Sequence, residues 1–477
     1  MTIWYDVSGL VDWRRPHLGG IERTAAGILD GLHRLGVPTR LVHFPHGGRE
    51  FQLAAEGDLP EAVRGMCDWL EPPASACPAA APLEPPAIAD PEAEARAKRR
   101  QRQREAIYGS GAEGEAFRAA WVSFRAAGRS VVRHAAHRVG LGRPRMAHAA
   151  PTAPTVNSPP PPATASALGV PFTSGDVLFS LGGTFATPGH PAAVDAARAQ
   201  GARIVRMVYD MVPVTKPQWL APRSIEVAWL RHVVERSDVV LAISECTRRE
   251  VADYCREAAL DPPRIEVVRL GDVLGHAPPS SLPAPLPRFV PRRPFLLCVS
   301  SLNVRKNHRC LYDAWSVLAA ERGEQCPDLL CVGMSHGHVA ELVHEIRHDR
   351  SVNRHLHLLD GIQDAELDWY YRNCVATIYP SKHEGWGLPI AESLGYGKLC
   401  LASSAASMQE ISDLPEFFAP HDTPRLVALV ARCLDDPDWR AGRETHIRRE
   451  FRGTTWTATA AATLAAAGIP ITTGVAA

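Results

Sequence analysis

The chain has 477 residues, 45% of them hydrophobic and 22% charged, which is a globular composition with room for two or three domains. It holds 52 basic and 52 acidic residues, so no net charge draws it to nucleic acid, and no run of 18 apolar residues could span a bilayer. Eleven cysteines, dispersed without a CxxC pair, argue against a disulfide framework and against a structural zinc site, and fit reduced thiols in the cytoplasm.

The first residues, MTIWYDVSGLVDW, carry an early acid and no basic-then-apolar leader pattern, and read as a first strand over Ile3 to Val7. A polar loop runs to Gly19-Gly20. Apolar residues at Ile21, Ala25, Ile28, Leu32 and Leu35 then line one face of a helix that Gly36 ends. Arg40 to Phe44 is the next strand, and a βαβ start of this kind predicts a doubly wound sheet. Residues 72–90 and 149–168 are dominated by Pro and Ala, which resist helix and cannot supply ladder hydrogen bonds. Between Arg96 and Arg145 stand thirteen Lys or Arg against three Glu, so the rest of the chain is net acidic. On a helical wheel Phe117, Trp121, Phe124, Val131, Val132, Ala135 and Val139 make one stripe, flanked by Arg118, Arg125, Arg129 and Arg133. Residues 113–145 therefore suit an anionic membrane surface; a stripe packed on the N-terminal domain, with solvated arginines, is the alternative.

Strand-helix alternation resumes after this insertion, with strands at Val177 to Ser180, Ile204 to Tyr209, Val239 to Ile243 and Ile265 to Arg269. Helices contain Ala192 to Ala199, Ile225 to Val234 and Cys246 to Cys255. A Pro-rich stretch at 276–294 precedes a fresh start at Phe295 to Ser300, and strands follow at Leu329 to Val332, His355 to Leu358, Val375 to Tyr379 and Leu399 to Ala402. The expected organisation is an N-terminal Rossmann-like domain over 1–280, a hinge at 281–294, a second Rossmann-like domain over 295–452, and a terminal helix and tail over 453–477. Two such sheets place a cleft between their carboxyl edges, where ligands bind.

The stretch SKHEGWGLPIAESLGYGK, Ser381 to Lys398, follows a strand and enters a helix near Pro389, a residue well placed in a first turn. Gly385 and Gly387 let the loop backbone approach a ligand, and the helix N-terminus offers free N–H groups to an anion. Glu384 and Glu392 flank the loop; ionised carboxylates only accept hydrogen bonds and so suit the vicinal hydroxyls of a sugar or ribose. In Ser300-Ser301-Leu302-Asn303-Val304-Arg305-Lys306-Asn307, two adjacent cations at a strand's carboxyl end can offset a diphosphate. His383 and His308 adjoin these motifs and read as solvated loop histidines. No Asp-x-Asp pair stands at a strand end to hold a metal.

Glu384, the Gly-rich loop and Glu392 together resemble the signature of retaining family-4 glycosyltransferases, which have the GT-B fold. The resemblance implies that Glu384 contacts the donor sugar, Glu392 the ribose, and Arg305 and Lys306 the departing nucleoside diphosphate, with Gly385, Gly387 and Leu388 lining the donor site. It places Gly19 and Gly20 beneath the donor phosphates. Tyr209-Asp210, in MVYDMVPVTKP, is similar to the family's His-Asp-Leu-Ile-Pro with Tyr in place of His, which leaves the role of Tyr209 open; Asp210 faces the acceptor or caps a helix. ISECTRRE resembles the family's strand-end Ser opening a helix, and Ser244 reads first as an N-cap. FRGTTWTATAAATLAA is similar to the final helix that crosses back to the N-terminal domain.

The expected catalytic set is thus Arg305, Lys306, Glu384 and Asp210, with no metal and no cofactor beyond the nucleotide-sugar substrate. A narrower resemblance, to bacterial mannosyltransferases of polysaccharide and O-antigen assembly, suggests GDP-mannose as donor and a glycan or polyprenyl-diphosphate-linked acceptor. It suggests a cytoplasmic enzyme, at the inner membrane face if the basic segment binds lipid. A non-catalytic nucleotide-sugar-binding subunit and a GT-B phosphorylase or epimerase are the rival readings.

Overall fold

The computed structural model describes residues 1–13, 18–64, 67, 169–219, 224–272, 287–334 and 339–471. The predicted insertion, its basic run and its amphipathic stripe lie outside these residues, as does the first part of the predicted hinge. Both sheets belong to one compact unit. No helix among the described residues is long and apolar enough to cross a membrane.

The N-terminal sheet has seven strands: β1 Ile3–Asp6, β2 Thr39–His43, β3 Gln52–Leu53, β4 Val177–Ser180, β5 Arg203–Val208, β6 Val239–Ala242 and β7 Arg264–Val267. Their order is β3-β2-β1-β4-β5-β6-β7, parallel except for β3, which runs antiparallel to β2. The C-terminal sheet is parallel throughout, in the order β10-β9-β8-β11-β12-β13. Its strands are β8 Phe295–Val299, β9 Asp328–Val332, β10 Leu356–Leu359, β11 Ala376–Tyr379, β12 Cys400–Ser403 and β13 Glu416–Phe418. Inner strands such as FLLCV of β8 and ATIY of β11 are apolar nearly end to end because helices cover both faces. The sequence places the strands within one or two residues, apart from β3 and β13.

In each sheet the strand order reverses once, between β1 and β4 in the first and between β8 and β11 in the second. Loops leaving neighbouring strands part at such points and open a crevice beyond the carboxyl edge. A buried carboxylate sits at the first of them. Asp6, at the end of β1, accepts hydrogen bonds from Ser180 Oγ of β4 at 2.8 Å and from His190 Nε2 at 2.7 Å. At the second lie the loops that carry Arg305 and Glu384.

The helices that matter for the site are α1 Gly20–Arg34, α2 His190–Ala199, α3 Ser224–Arg236, α4 Glu245–Glu257, α5 His308–Arg322, α6 Asp364–Asn373, α7 Leu388–Gly395 and α8 Trp456–Ala466. α8, at the chain's end, lies on α1 of the N-terminal domain. Gly27 and Gly31, one turn apart, leave the gap it fills: a Cβ on Gly27 would enter the Trp456 ring, and one on Gly31 would lie 2.7 Å from Ala460 Cβ. Thr459 Oγ1 donates to Arg269 O at 2.9 Å and holds the register. Gly31→Val overpacks this contact, and overpacking costs about 1–3 kcal/mol. The denaturant midpoint is expected to fall, whereas Gly57→Ala, where a Cβ meets open space, leaves it unchanged.

Candidate active site

The loop after β8 turns sharply. Asn303 accepts from Lys306 N at 3.1 Å through its side chain, forming a single turn of helix over Val304–Lys306, and Asn307 follows in the left-handed region at φ 59°. The Asn307 amide then donates to Pro380 O at 3.0 Å and Pro420 O at 2.7 Å, tying the loops after β8, β11 and β13 together. Lys382 N donates to Arg305 O at 2.8 Å. The result is that Arg305 and Lys306, from one side of the switch point, converge on Glu384 from the other.

Lys306 Nζ donates to Glu384 Oε1 at 2.7 Å and to the Tyr379 hydroxyl at 2.7 Å, and it lies over the Tyr379 ring. Arg305 Nη1 bonds Glu384 Oε2 and the His383 carbonyl, and Ser381 Oγ adds a third bond to Glu384. Burial alone would raise the Glu384 carboxyl. The two cations and the bonds from Lys306 and Ser381 overcome that and hold it at about 2. Glu384 is therefore ionised at any working pH, with both oxygens engaged, and does not serve as a general base. Burial and the neighbouring guanidinium lower the Lys306 ammonium, an effect Glu384 partly offsets. For Arg305 the opposing carboxylates, Glu384 first and Asp210 second, outweigh burial and secure its charge.

Gly385 packs directly on the Tyr209 carbonyl at the end of β5, with no space for a Cβ, and so brings the two domains into contact. Gly387, at φ 124°, takes a conformation that favours glycine and starts α7. A Cβ on Gly20 would stand 3.8 Å from Leu388, so the first turn of α1 faces the first turn of α7 across the cleft. Gly19 is the N-cap residue of α1. Glu392 reaches the same cleft. It accepts from Arg23 Nη1 of α1 at 2.7 Å and from the Tyr371 hydroxyl of α6 at 2.8 Å, so protein donors hold both its oxygens. Ser407 Oγ, 2.8 Å and 3.0 Å from the carbonyls of Glu384 and Trp386, pins the loop from below.

A cavity of about 180 Å³ opens beside this cluster. The N-terminal domain supplies its apolar wall, from Ile21, Phe185, Val212, Pro213, Trp229 and Leu230, together with Asp210 and Glu226; Arg305 is the contribution of the C-terminal domain. One Asp210 oxygen accepts from Val212 N at 3.0 Å at the start of a helical turn, and the residue lines the cavity together with Arg305. Tyr209 lines it too, but its hydroxyl donates to Leu181 O at 2.7 Å, and burial raises its pKa well above that of an ordinary phenol. It is a brace. Ser244 is an N-cap as expected, accepting from Thr247 N at 3.0 Å.

Two expectations need correction. His383 and His308 are not solvated: they are 6% and 2% exposed. His383 meets Glu250 of α4 at 2.6 Å, and His308 lies against Ser300 beneath the Arg305 loop. Arg23, Tyr371, Tyr379, Ser381, Ser407 and Glu250 carry no role assigned from sequence. Ser381 opens the Gly-rich motif, Glu250 closes ISECTRRE, Ser407 stands in the loop after the strand ending near Ala402, and Arg23 comes three residues after Gly20, so these four adjoin a recognisable signal.

Residues 287–449 match the model of the family described as "Glycosyl transferases group 1". The chain is 23% identical over 269 residues to the serotype-specific mannosyltransferase WbdA of Escherichia coli, covering 54% of this chain and 32% of that protein. It is 24% identical over 215 residues to the O-antigen chain mannosyltransferase B of Escherichia coli, covering 44% and 55%. The matched region thus spans from about a third to about half of these relatives. Among solved structures, TarM aligns with a TM-score of 0.45 at 11% identity over 59% of this chain and 53% of its own. An α,α-trehalose-phosphate synthase from Burkholderia vietnamiensis aligns at 0.46 and 13% identity, over 62% and 72%. Two doubly wound sheets facing a central cleft, the second carrying the group 1 match, are the GT-B architecture. The chain resembles bacterial mannosyltransferases of that architecture.

Proposed function

We propose that this protein is a retaining, metal-independent glycosyltransferase that moves a sugar from a nucleotide-sugar donor to a glycan or lipid-linked oligosaccharide in bacterial polysaccharide assembly. The observation that carries the proposal is the convergence of Arg305 and Lys306 at the switch point of the C-terminal sheet, beside a cavity that Arg305 shares with Asp210. A cationic pair held in a half-buried site is built to receive negative charge, and in glycosyl transfer that charge grows on the departing diphosphate.

In this reading the donor lies along the carboxyl edge of β8 and β11. Its diphosphate meets Arg305 and Lys306 and the N-terminus of α7, and its ribose lies toward Glu392. The acceptor sugar occupies the apolar cavity, where Asp210 orients its hydroxyl. The anomeric carbon–phosphate oxygen bond breaks and the bond to the acceptor oxygen forms on the same face of the ring. The acceptor's proton passes to the leaving phosphate, so no protein base is required. In this reading the two domains, which approach each other where Gly385 packs on Tyr209 and Gly20 faces Leu388, close over the donor and exclude water.

Mannose is the sugar named in the relatives, and GDP-mannose is the first donor to test. Nucleoside diphosphate release from a panel of nucleotide sugars, with and without short mannosides, is expected to rise with acceptor, to persist in EDTA, and to give an α-linkage in the product's proton spectrum. Donor binding without transfer to any acceptor would favour a non-catalytic binding subunit. A β-linked product, or phosphate-dependent cleavage, would overturn the mechanism.

A further inference from the structure

Beside the donor loop, three metal-ligand side chains from the two domains come together. Cys246 and Glu250 stand four residues apart on α4, on one face of its first turns. His383 comes from the loop after β11, immediately before Glu384. Their donor atoms all lie within 4.8 Å of one another.

The hydrogen bond between His383 Nε2 and Glu250 Oε1 at 2.6 Å explains only half of this meeting. His383 Nδ1 and Glu250 Oε2 are buried and have no partner among the described residues, although the histidine is 94% withdrawn from solvent, being 6% exposed. Orphaned polar atoms at that depth are rare and call for a ligand, an ion or a water. Charge argues for a cation. The carboxylates of Glu250 and Glu410 stand beside Cys246, and the Arg249 guanidinium is the opposing charge near them. Glu410, from the C-terminal domain, is fixed there by accepting from Glu245 N at 2.7 Å and Cys246 N at 2.8 Å.

We infer that Cys246, Glu250 and His383 form a transition-metal site of the zinc class that clamps the donor loop to α4. Thiolate, imidazole and carboxylate are the ligand set of zinc, whose bond lengths of about 2.0–2.3 Å put tetrahedral donors about 3.3–3.5 Å apart. Small side-chain shifts bring the three atoms from their present spacing to that one. Cys246 is half-buried and gives the ion a way in, and a fourth position stays open to water. Binding deprotonates the thiol, releasing one proton per ion. The ion bridges the domains and takes no part in glycosyl transfer, so the inference stands or falls separately from the proposed activity.

The test is a Co²⁺ titration of the metal-free full-length protein. One equivalent is expected to give the visible bands of tetrahedral cobalt and a near-ultraviolet thiolate charge-transfer band, both bleached by Zn²⁺. C246S abolishes the charge-transfer band. E250Q keeps it but weakens binding at least about tenfold, since even removing a residue behind a ligand costs about 10–100-fold. Zn²⁺ raises the thermal midpoint of the wild type and not of C246S. The inference is overturned if no thiolate band appears at stoichiometric Co²⁺. It is overturned equally if the band survives C246S and disappears in C331S, which would place the ion in the buried Cys298–His308–Cys331 cluster of the C-terminal sheet. Should C246S fail to fold, loss of affinity in E250Q decides the question alone.

Discussion

Lys306→Ala is expected to lower turnover by about 10²–10³-fold while raising the apparent donor constant far less. That is the scale on which loss of one preorganised group facing transition-state charge is felt. The ground-state diphosphate already carries negative charge, so some donor affinity goes too. The larger loss falls on kcat because the charge increases as the glycosidic bond breaks. Position reinforces the effect. Lys306 is aimed by Glu384 and by the Tyr379 hydroxyl, with its side chain only 12% exposed, so its charge is delivered in a site where water screens it poorly. Lys306→Arg is expected to rescue little, because a planar guanidinium does not fit the place of a compact ammonium between Tyr379 and Glu384. Steady-state kinetics with saturating acceptor separate the two constants. A change confined to the donor constant would remove Lys306 from the transition state.

Local chemistry made most of this site legible before the fold was known. The Gly-rich motif announces itself by composition, and the alternation of apolar runs with amphipathic segments places Arg305, Lys306 and Glu384 after strands. Parallel topology then brings those strand ends together, so residues far apart in sequence meet at one crevice. The strands left unread, β3 and β13, have two and three residues, sit at sheet edges and carry no period to detect. What the sequence hides is packing between domains. Glu392 looks free to bind ribose, but Arg23, in the other domain, already holds it. His383 looks like a solvated loop residue until α4 brings Glu250 against it. The same blindness affects the cysteines: Cys246 belongs to no spacing motif because its companions in space come from another turn of its helix and from another domain.

Glu384→Ala and Glu392→Ala are expected to separate when calorimetry is run with free nucleoside diphosphate and with intact donor. Glu384 neutralises part of the charge of Arg305 and Lys306, so its removal leaves diphosphate affinity equal to the wild type or tighter. On the proposal that Glu384 also grips the donor sugar, the intact donor binds about 10–100-fold more weakly, as expected for a lost hydrogen bond to a charged group worth about 1.5–3 kcal/mol. Turnover falls further, because the cations lose the group that aims them. Glu392→Ala acts on both ligands alike, since ribose is common to them, and it also frees Arg23 and Tyr371 from their shared partner. Arg23→Ala provides the control: if Glu392 serves only to hold the domains through Arg23, this variant reproduces the Glu392→Ala losses in full. Preserved diphosphate binding in Arg23→Ala, with loss in Glu392→Ala, assigns the carboxylate to the nucleotide. Equal losses for both ligands in both glutamate variants would reject the division of labour between them.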